Sequence, residues 1–432
     1  MNTAPDLRPS RLQQVAPWES LLAGSLLFLA VLFALLPAGF SWTDAEDSSN
    51  FVSGSIGFQL QWGSIFGLSA LLLMRHPDYL LECLRVANPF LLALCFYCLA
   101  SIVWSPYGLV TLKKAVQVVG LILLSIAIQL DGKPWTHSVK LMLAALTGIE
   151  LASAVVALVN PSFGIDAAFG YAWRGVVSGK NTLGAIGAMS LLLWMPLWRD
   201  AGVPRFVFWA GVTLSVVCVV MSTSSTSLTM ALVGLFIYWV LNKQHIQSPL
   251  WLQRLLVLAG LIMLSGLHLF FIAEARLPAL SEILGPFANL FGKSGDLTGR
   301  ADVWAPLYIE IAKHWLFGIG YGAFWLGPGS PSQPILDILP WIPLQAHNGY
   351  LDLLNELGAV GFILFLGLVL LHGLNLAKLI RIDRRAAAVS SAVFATLLVS
   401  NFSESALFRG VTFNFILLVI FSTRVSTLVG RR

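Results

Sequence analysis

Residues 345–372 read QAHNGYLDLLNELGAVGFILFLGLVLLH. From Ala359 to Leu371 the stretch is wholly apolar, and such a run marks a helix that crosses a membrane. The first half is different. It sets a histidine, two asparagines, an aspartate and a glutamate at the mouth of that helix. Ionisable groups are costly in a bilayer, so they face a protein interior and are candidates for function. Asn348, Asp352 and Glu356 recur every fourth residue, with Asn355 beside them, which places them on one stripe of the helix. Asp352, Asn355 and Glu356 read first as hydrogen-bonding glue between helices and second as a functional stripe. His347, at the helix mouth, reads as functional. Gly358 and Gly361 are expected to let a neighbouring helix approach closely.

The rest of the chain agrees with this start. Of 432 residues, 57% are hydrophobic and 11% are charged, where a soluble domain has roughly 25% charged. Mean hydropathy is +0.81. The expected fold is all-α: one polytopic membrane domain over residues 1–432. Apolar runs predict twelve transmembrane helices, near 19–39, 54–74, 87–104, 110–130, 137–159, 181–198, 206–221, 225–242, 252–273, 349–372, 386–401 and 408–426. Leu21–Phe40 reads as a retained first helix rather than a signal peptide. The cysteines Cys83, Cys95, Cys98 and Cys218 suggest neither a disulfide framework nor a metal site. The sequence holds no Walker loop, no G-x-S-x-G elbow and no paired-aspartate loop for a nucleotide sugar. Nothing in it points to nucleic acid.

Placing both termini in the cytoplasm leaves 17 of the 26 Lys and Arg residues on that side, as the positive-inside rule asks. Residues 274–348 then form a large periplasmic loop between spans nine and ten, and loops of that length are commonly functional. It contains GRADVWAPLYIEIAKHW, an amphipathic helix pattern. Its residues Trp304, Trp315, Trp325 and Trp341 are expected at the bilayer interface. Cations outside run against the charge bias, so Arg174, Lys180 and Arg300 suggest an anionic substrate, for which the arginine fork is suited. Arg300 precedes an apolar helix, whose first N–H groups also favour anions. Lys113, Lys114, Lys293 and Lys313 read mainly as snorkelling residues. Ser222–Ser227, STSSTS, reads as a helix start capped by its own hydroxyls.

TGRADVW at 298–304, GIGYGAFW at 318–325 and AHNGYLDLLNELGAVGF at 346–362, with SGKNTLG at 178–184 as a weaker fourth, occur in this order along the chain. On these motifs the chain resembles the O-antigen ligases and bacterial polysaccharide polymerases, with wording nearest the exopolysaccharide polymerase branch. The resemblance implies a glycosyltransferase on the periplasmic face of the inner membrane, without metal or other cofactor. Its donor would be an undecaprenyl-pyrophosphate-linked glycan, and its acceptor a sugar or lipid A-core, in contact with membrane lipids. It also implies His347 as general base and Arg300 as the pyrophosphate-binding arginine. Where many members carry a basic residue at the start of the eighth span, this chain has Ser225, and Arg174 or Lys180 could supply that charge. Asn348, beside the base, is a further candidate for substrate binding, with Asp352 and Glu356 in support.

The chemistry is consistent. An imidazole can take the proton of an attacking sugar hydroxyl. Cations suffice for a departing pyrophosphate, and direct displacement inverts the anomeric centre. Asp352 is not one helical turn from His347, so it is a poor candidate to orient the ring. Two rivals remain: a flippase for lipid-linked oligosaccharides, and a non-catalytic factor that binds the lipid carrier. The chain halves show no repeat to favour the flippase.

Overall fold

Proline, serine, asparagine and aspartate stand where helices begin, as their chemistry dictates. Pro17 opens α1 (Pro17–Leu35), and the Ser55 hydroxyl accepts from Phe58 N ahead of α2 (Ile56–Met74). Pro77 opens α3 (Pro77–Val86); Asn88 caps α4 (Pro89–Ala100) through Phe90 N. There follow α5 (Gly108–Ala127), α6 (Trp135–Val159), α7 (Lys180–Trp194), α8 (Arg205–Met221), α9 (Ser225–Asn242) and α10 (Arg300–Lys313). Asn348 caps α11 (Gly349–Ile382) and Asp383 caps α12 (Arg384–Ser400); α13 (Phe413–Gly430) comes last. The computed structural model describes residues 15–37, 55–167, 170–198, 200–242, 300–339 and 341–430. The only sheet among them is a two-residue antiparallel pairing, Ile165 with Trp173 and Asp166 with Ala172, so the fold is all-α.

Among the described residues seven helices are long and apolar enough to cross a membrane: α1, α2, α5, α6, α9, α11 and α13. An eighth is added if α3 and α4, bent by 103° at Ala87–Asn88, are one broken span. The expected spans at 181–198, 206–221 and 386–401 correspond to the shorter helices α7, α8 and α12. The expected span 252–273 and residues 274–299 of the expected loop lie outside the described residues. Outward-facing Leu60, Leu71, Leu158, Ile363 and Leu370 are exposed, as residues meant for lipid contact are. The main core joins every one of these helices except α10. A second, smaller core gathers Val303, Trp304 and Leu307 of α10 with Ile319, Phe324, Trp325, Ile335 and Ala346.

Two departures from the sequence expectation shape the site. Gly358 does not merely admit a neighbouring helix: it breaks α11, with φ 64° and ψ −167°. Residues 315–320 cross at the break and take up its backbone groups. Ile319 N and Gly320 N donate to the carbonyls of Asn355 and Glu356, and Ala359 N and Val360 N donate to those of Trp315 and Leu316. In hydrocarbon an unmet backbone group costs several kcal/mol, so a break needs such a partner. A Cβ at Gly318 would lie 2.3 Å from the Glu356 carbonyl oxygen, and one at Gly358 would lie 2.5 Å from Gly318 N. Only glycine fits on both sides of the crossing.

The second departure concerns the last helix. The apolar pattern predicts a span from 408, yet α13 begins at Phe413. Residues 401–412 are irregular: the Asn401 side chain accepts from Ala406 N and Leu407 N, and Phe408 and Gly410 have positive φ. Apolar character concealed this turn in the sequence, and it carries Glu404 and Arg409 to the site.

Candidate active site

His347 lies where three elements meet: the N-terminal end of α11, the 401–412 turn and the first turns of α10. Its own backbone is left-handed, φ 51°, a conformation uncommon outside glycine. Each side of it is anchored. Asn348 Oδ1 accepts from Tyr350 N and Leu351 N, and Gly349 N donates to the Asn401 carbonyl at 2.8 Å. A Cβ at Gly349 would sit 2.0 Å from Asn401 Oδ1, so the approach of the two loops requires glycine.

The ring is oriented by Glu404. His347 Nδ1 lies 3.3 Å from Glu404 Oε2, with both side chains about a quarter exposed (28% and 25%). Gln345 Nε2 donates to the same Oε2 at 3.2 Å, while Asn181 Nδ2 donates to Oε1 at 2.8 Å. Gln345 is fixed in turn, since its Oε1 accepts from Arg409 Nη1 at 3.0 Å and from Ser405 N at 3.3 Å. Arg409 also bonds the Leu344 carbonyl and stands 3.8 Å from Asp352 Oδ2. The Trp341 ring lies 6.3 Å from the imidazole, tilted by 55°.

Beneath the histidine, Asp352 is a fastener. Its Oδ1 accepts Trp325 Nε1 at 2.7 Å, and its carboxylate accepts Ala346 N at 3.2 and 3.3 Å. Glu356 Oε2 accepts Gly322 N at 2.8 Å. Lys114 interacts electrostatically with both Arg409 and Glu356. A cavity of ≈ 10 Å³ lies among Asp352, Glu356, Arg409 and Tyr321, about the room one water needs. Tyr321 is buried and its hydroxyl accepts Gly410 N; burial pushes that hydroxyl well above the usual phenol range, so it stays protonated. An open cleft of ≈ 610 Å³ lies on the other side of the 315–320 crossing, lined by Trp104, Lys313, His314, Trp315 and Phe317 among others.

Of the residues singled out in the sequence, His347, Asn348, Asp352 and Glu356 are brought together. Asn348 is engaged as a helix cap, so its Oδ1 is committed to backbone N–H groups rather than to a ligand. Asp352 holds the loop before His347 and not its ring. Lys180 begins α7 immediately before Asn181, the residue that donates to Glu404. The serine cluster meets the same corner: Ser227 Oγ approaches the Asn181 carbonyl at 3.5 Å, and Thr226 shares a hydrogen bond with Ser403. Arg174 is turned the other way, with Nε on the Phe163 carbonyl at 2.8 Å and its guanidinium 5.2 Å from the Phe163 ring. Arg300 is the first residue of α10.

Trp304 and Trp325 correct an expectation. They are buried, 6% and 8% exposed, not set at a bilayer interface. Each indole N–H has an internal acceptor, the Ala346 carbonyl for Trp304 and Asp352 for Trp325, which removes the reason to seek water. Trp315 and Trp341 are exposed. The Lys114 side chain lies against Gly322 and Gly410, whereas Lys113 is exposed.

Sequence reasoning missed the roles of Glu404 and Arg409. A polar cluster NFSESALFRG inside an apolar C-terminal third was the available signal.

Residues 210–366 of the chain match the O-Antigen ligase family. Over that segment, somewhat more than a third of its length, the chain is similar to the O-antigen ligases. No curated protein matches the chain. The ligase match contains Arg300 and His347, while Lys114, Asn181, Glu404 and Arg409 lie outside it. The seven or eight candidate spans among the described residues make the chain a multi-pass membrane protein.

Proposed function

We propose that the chain joins a glycan carried on undecaprenyl pyrophosphate to a sugar acceptor, as a polysaccharide polymerase or an O-antigen ligase, at the periplasmic face of the inner membrane with both termini cytoplasmic. The observation that carries this reading is the His347–Glu404 pair at the mouth of α11, framed by Gln345 and Arg409, with His347 inside the segment that matches the ligases.

Nδ1 has two neighbours at 3.3 Å, Glu404 Oε2 and Gln345 Nε2; with Gln345 donating to Glu404, the carboxylate is the partner that takes a ring hydrogen on Nδ1. That leaves Nε2 of His347 as the proton acceptor for an attacking sugar hydroxyl. The oxygen so activated bonds to the anomeric carbon as the bond to pyrophosphate breaks, with inversion. The leaving group departs with its own charge, which Arg300, at the first turn of α10, and Lys180, at the first turn of α7, would meet. Both are first residues of helices, where free backbone N–H groups add to the attraction for phosphate. Lys180 thereby fills the place left uncharged at Ser225.

The test is glycan transfer by the purified protein in detergent, with donor binding measured alongside. His347→Gln keeps size and polarity but cannot act as a base. Transfer should fall by about 10²–10⁴-fold while donor binding persists. Near-normal transfer by His347→Gln would remove the assignment. Loss of donor binding together with transfer would instead make His347 a donor-binding residue, and donor binding without transfer by the wild-type protein would favour the carrier-binding factor.

A further inference from the structure

The residue that precedes His347 is held by side chains at both of its backbone polar groups. Ala346 is fully buried. Its N–H donates to the Asp352 carboxylate, and its carbonyl accepts Trp304 Nε1 at 2.7 Å. Trp304 sits one turn into α10, the helix that begins at Arg300. Val303, Trp304 and Leu307 pack with Ile319, Phe324 and Trp325 in the same small core as Ala346. The His347 backbone is left-handed, and such a residue persists only where its surroundings over-determine it. On its far side the Asn348 cap and the Gly349–Asn401 hydrogen bond fix the chain. On its near side the plane of the Ala346–His347 peptide is set by the indole. Rotating that plane would swing the imidazole away from Glu404.

We infer that Trp304 is a positioning residue for His347: by hydrogen-bonding the Ala346 carbonyl it makes the placement of the base depend on the helix that begins at Arg300. The inference rests on the reading of His347 as the base. It gives α10 two tasks, to present Arg300 to the donor and to hold the base at its working angle. A shift of α10 when donor binds is then felt at the imidazole through one peptide group.

The experiment is a double-mutant cycle on the purified full chain, with kcat and the donor KM measured separately. Trp304→Phe keeps an aromatic ring and loses only the N–H and part of the ring volume. Leaving a buried carbonyl unmet should cut kcat by about 10-fold, with the donor KM unchanged. If Trp304 acts through His347, the same substitution has no further effect in a His347→Ala background. A merely structural role would lower the residual rate of His347→Ala by the same factor, and that result overturns the inference. So does a wild-type kcat for Trp304→Phe. Should Trp304→Phe fail to accumulate in the membrane, 3-benzothienylalanine at position 304 keeps the bicyclic shape without the N–H, and the same comparison decides. Full transfer by His347→Ala would sink the base assignment itself, and the coupling with it. A strict need for His347 together with a silent Trp304 substitution would sink the coupling alone.

Discussion

Glu404→Gln isolates what the carboxylate does for the histidine. The side chain keeps its length and one acceptor oxygen, but the charge goes and an NH₂ replaces the other oxygen. In the structure those oxygens accept from, among others, Asn181 Nδ2 at 2.8 Å, Gln345 Nε2 at 3.2 Å and His347 Nδ1 at 3.3 Å. A glutamine cannot serve all three, because its NH₂ would meet a donor. A hydrogen bond to a charged group is worth about 1.5–3 kcal/mol. The 3.3 Å separation and the quarter exposure of both side chains argue for the lower end. About 1.5 kcal/mol corresponds to roughly a 10-fold loss in kcat. The donor KM should hold, since the hydrogen bonds of Glu404 to His347 and Gln345 bear on the base and its frame. The assay is steady-state transfer from a lipid-linked glycan by purified enzyme, with membrane abundance and thermal stability checked in parallel. Glu404→Asp, which keeps the charge but falls short of the ring, should lie between the two. An unchanged kcat for Glu404→Gln, or a defect confined to KM, would refute the orienting role.

Gly358→Ala should destabilise the protein by roughly 1–3 kcal/mol from its positive φ alone, and further from the 2.5 Å approach to Gly318 N and the Leu316 carbonyl; Gly373→Ala, with open space around it, is the control that should leave thermal unfolding in detergent unchanged. Arg300→Lys keeps the charge and loses the two-pronged fork, so donor affinity measured by titration should weaken, and Arg300→Ala should weaken it more; equal affinity for all three would remove Arg300 from the donor site. Asp337→Cys tests orientation, since the four native cysteines are buried and Asp337 is exposed. The new thiol should react with a membrane-impermeant reagent in cells whose outer membrane is permeabilised, and protection until the inner membrane is lysed would reverse the proposed topology.

Composition and period settled the class of the molecule, because a bilayer imposes its demands locally: a helix that must cross it needs about 20 apolar residues in a row. The helix starts were equally local, and Ser55, Asn88, Asn348 and Asp383 cap where their side chains can reach the next turn. His347 stood out in the sequence for the same reason, as a polar residue at the mouth of a greasy run. Its partners did not. Glu404 lies 57 residues away and Asn181 a further 166 residues before His347, so no spacing rule links them. The stripe of Asn348, Asp352 and Glu356 was legible, but its use was not: Asp352 turns to the Ala346 peptide and Trp325, and Glu356 to Gly322. Gly358 looked like a place for helix contact and proved to be a break, because residues 315–320 arrive there to take the freed hydrogen bonds. A pattern of apolar residues says that a segment belongs in the membrane; which polar groups then meet is decided by how the helices pack, since burial forces each donor to find an acceptor wherever the fold has brought one.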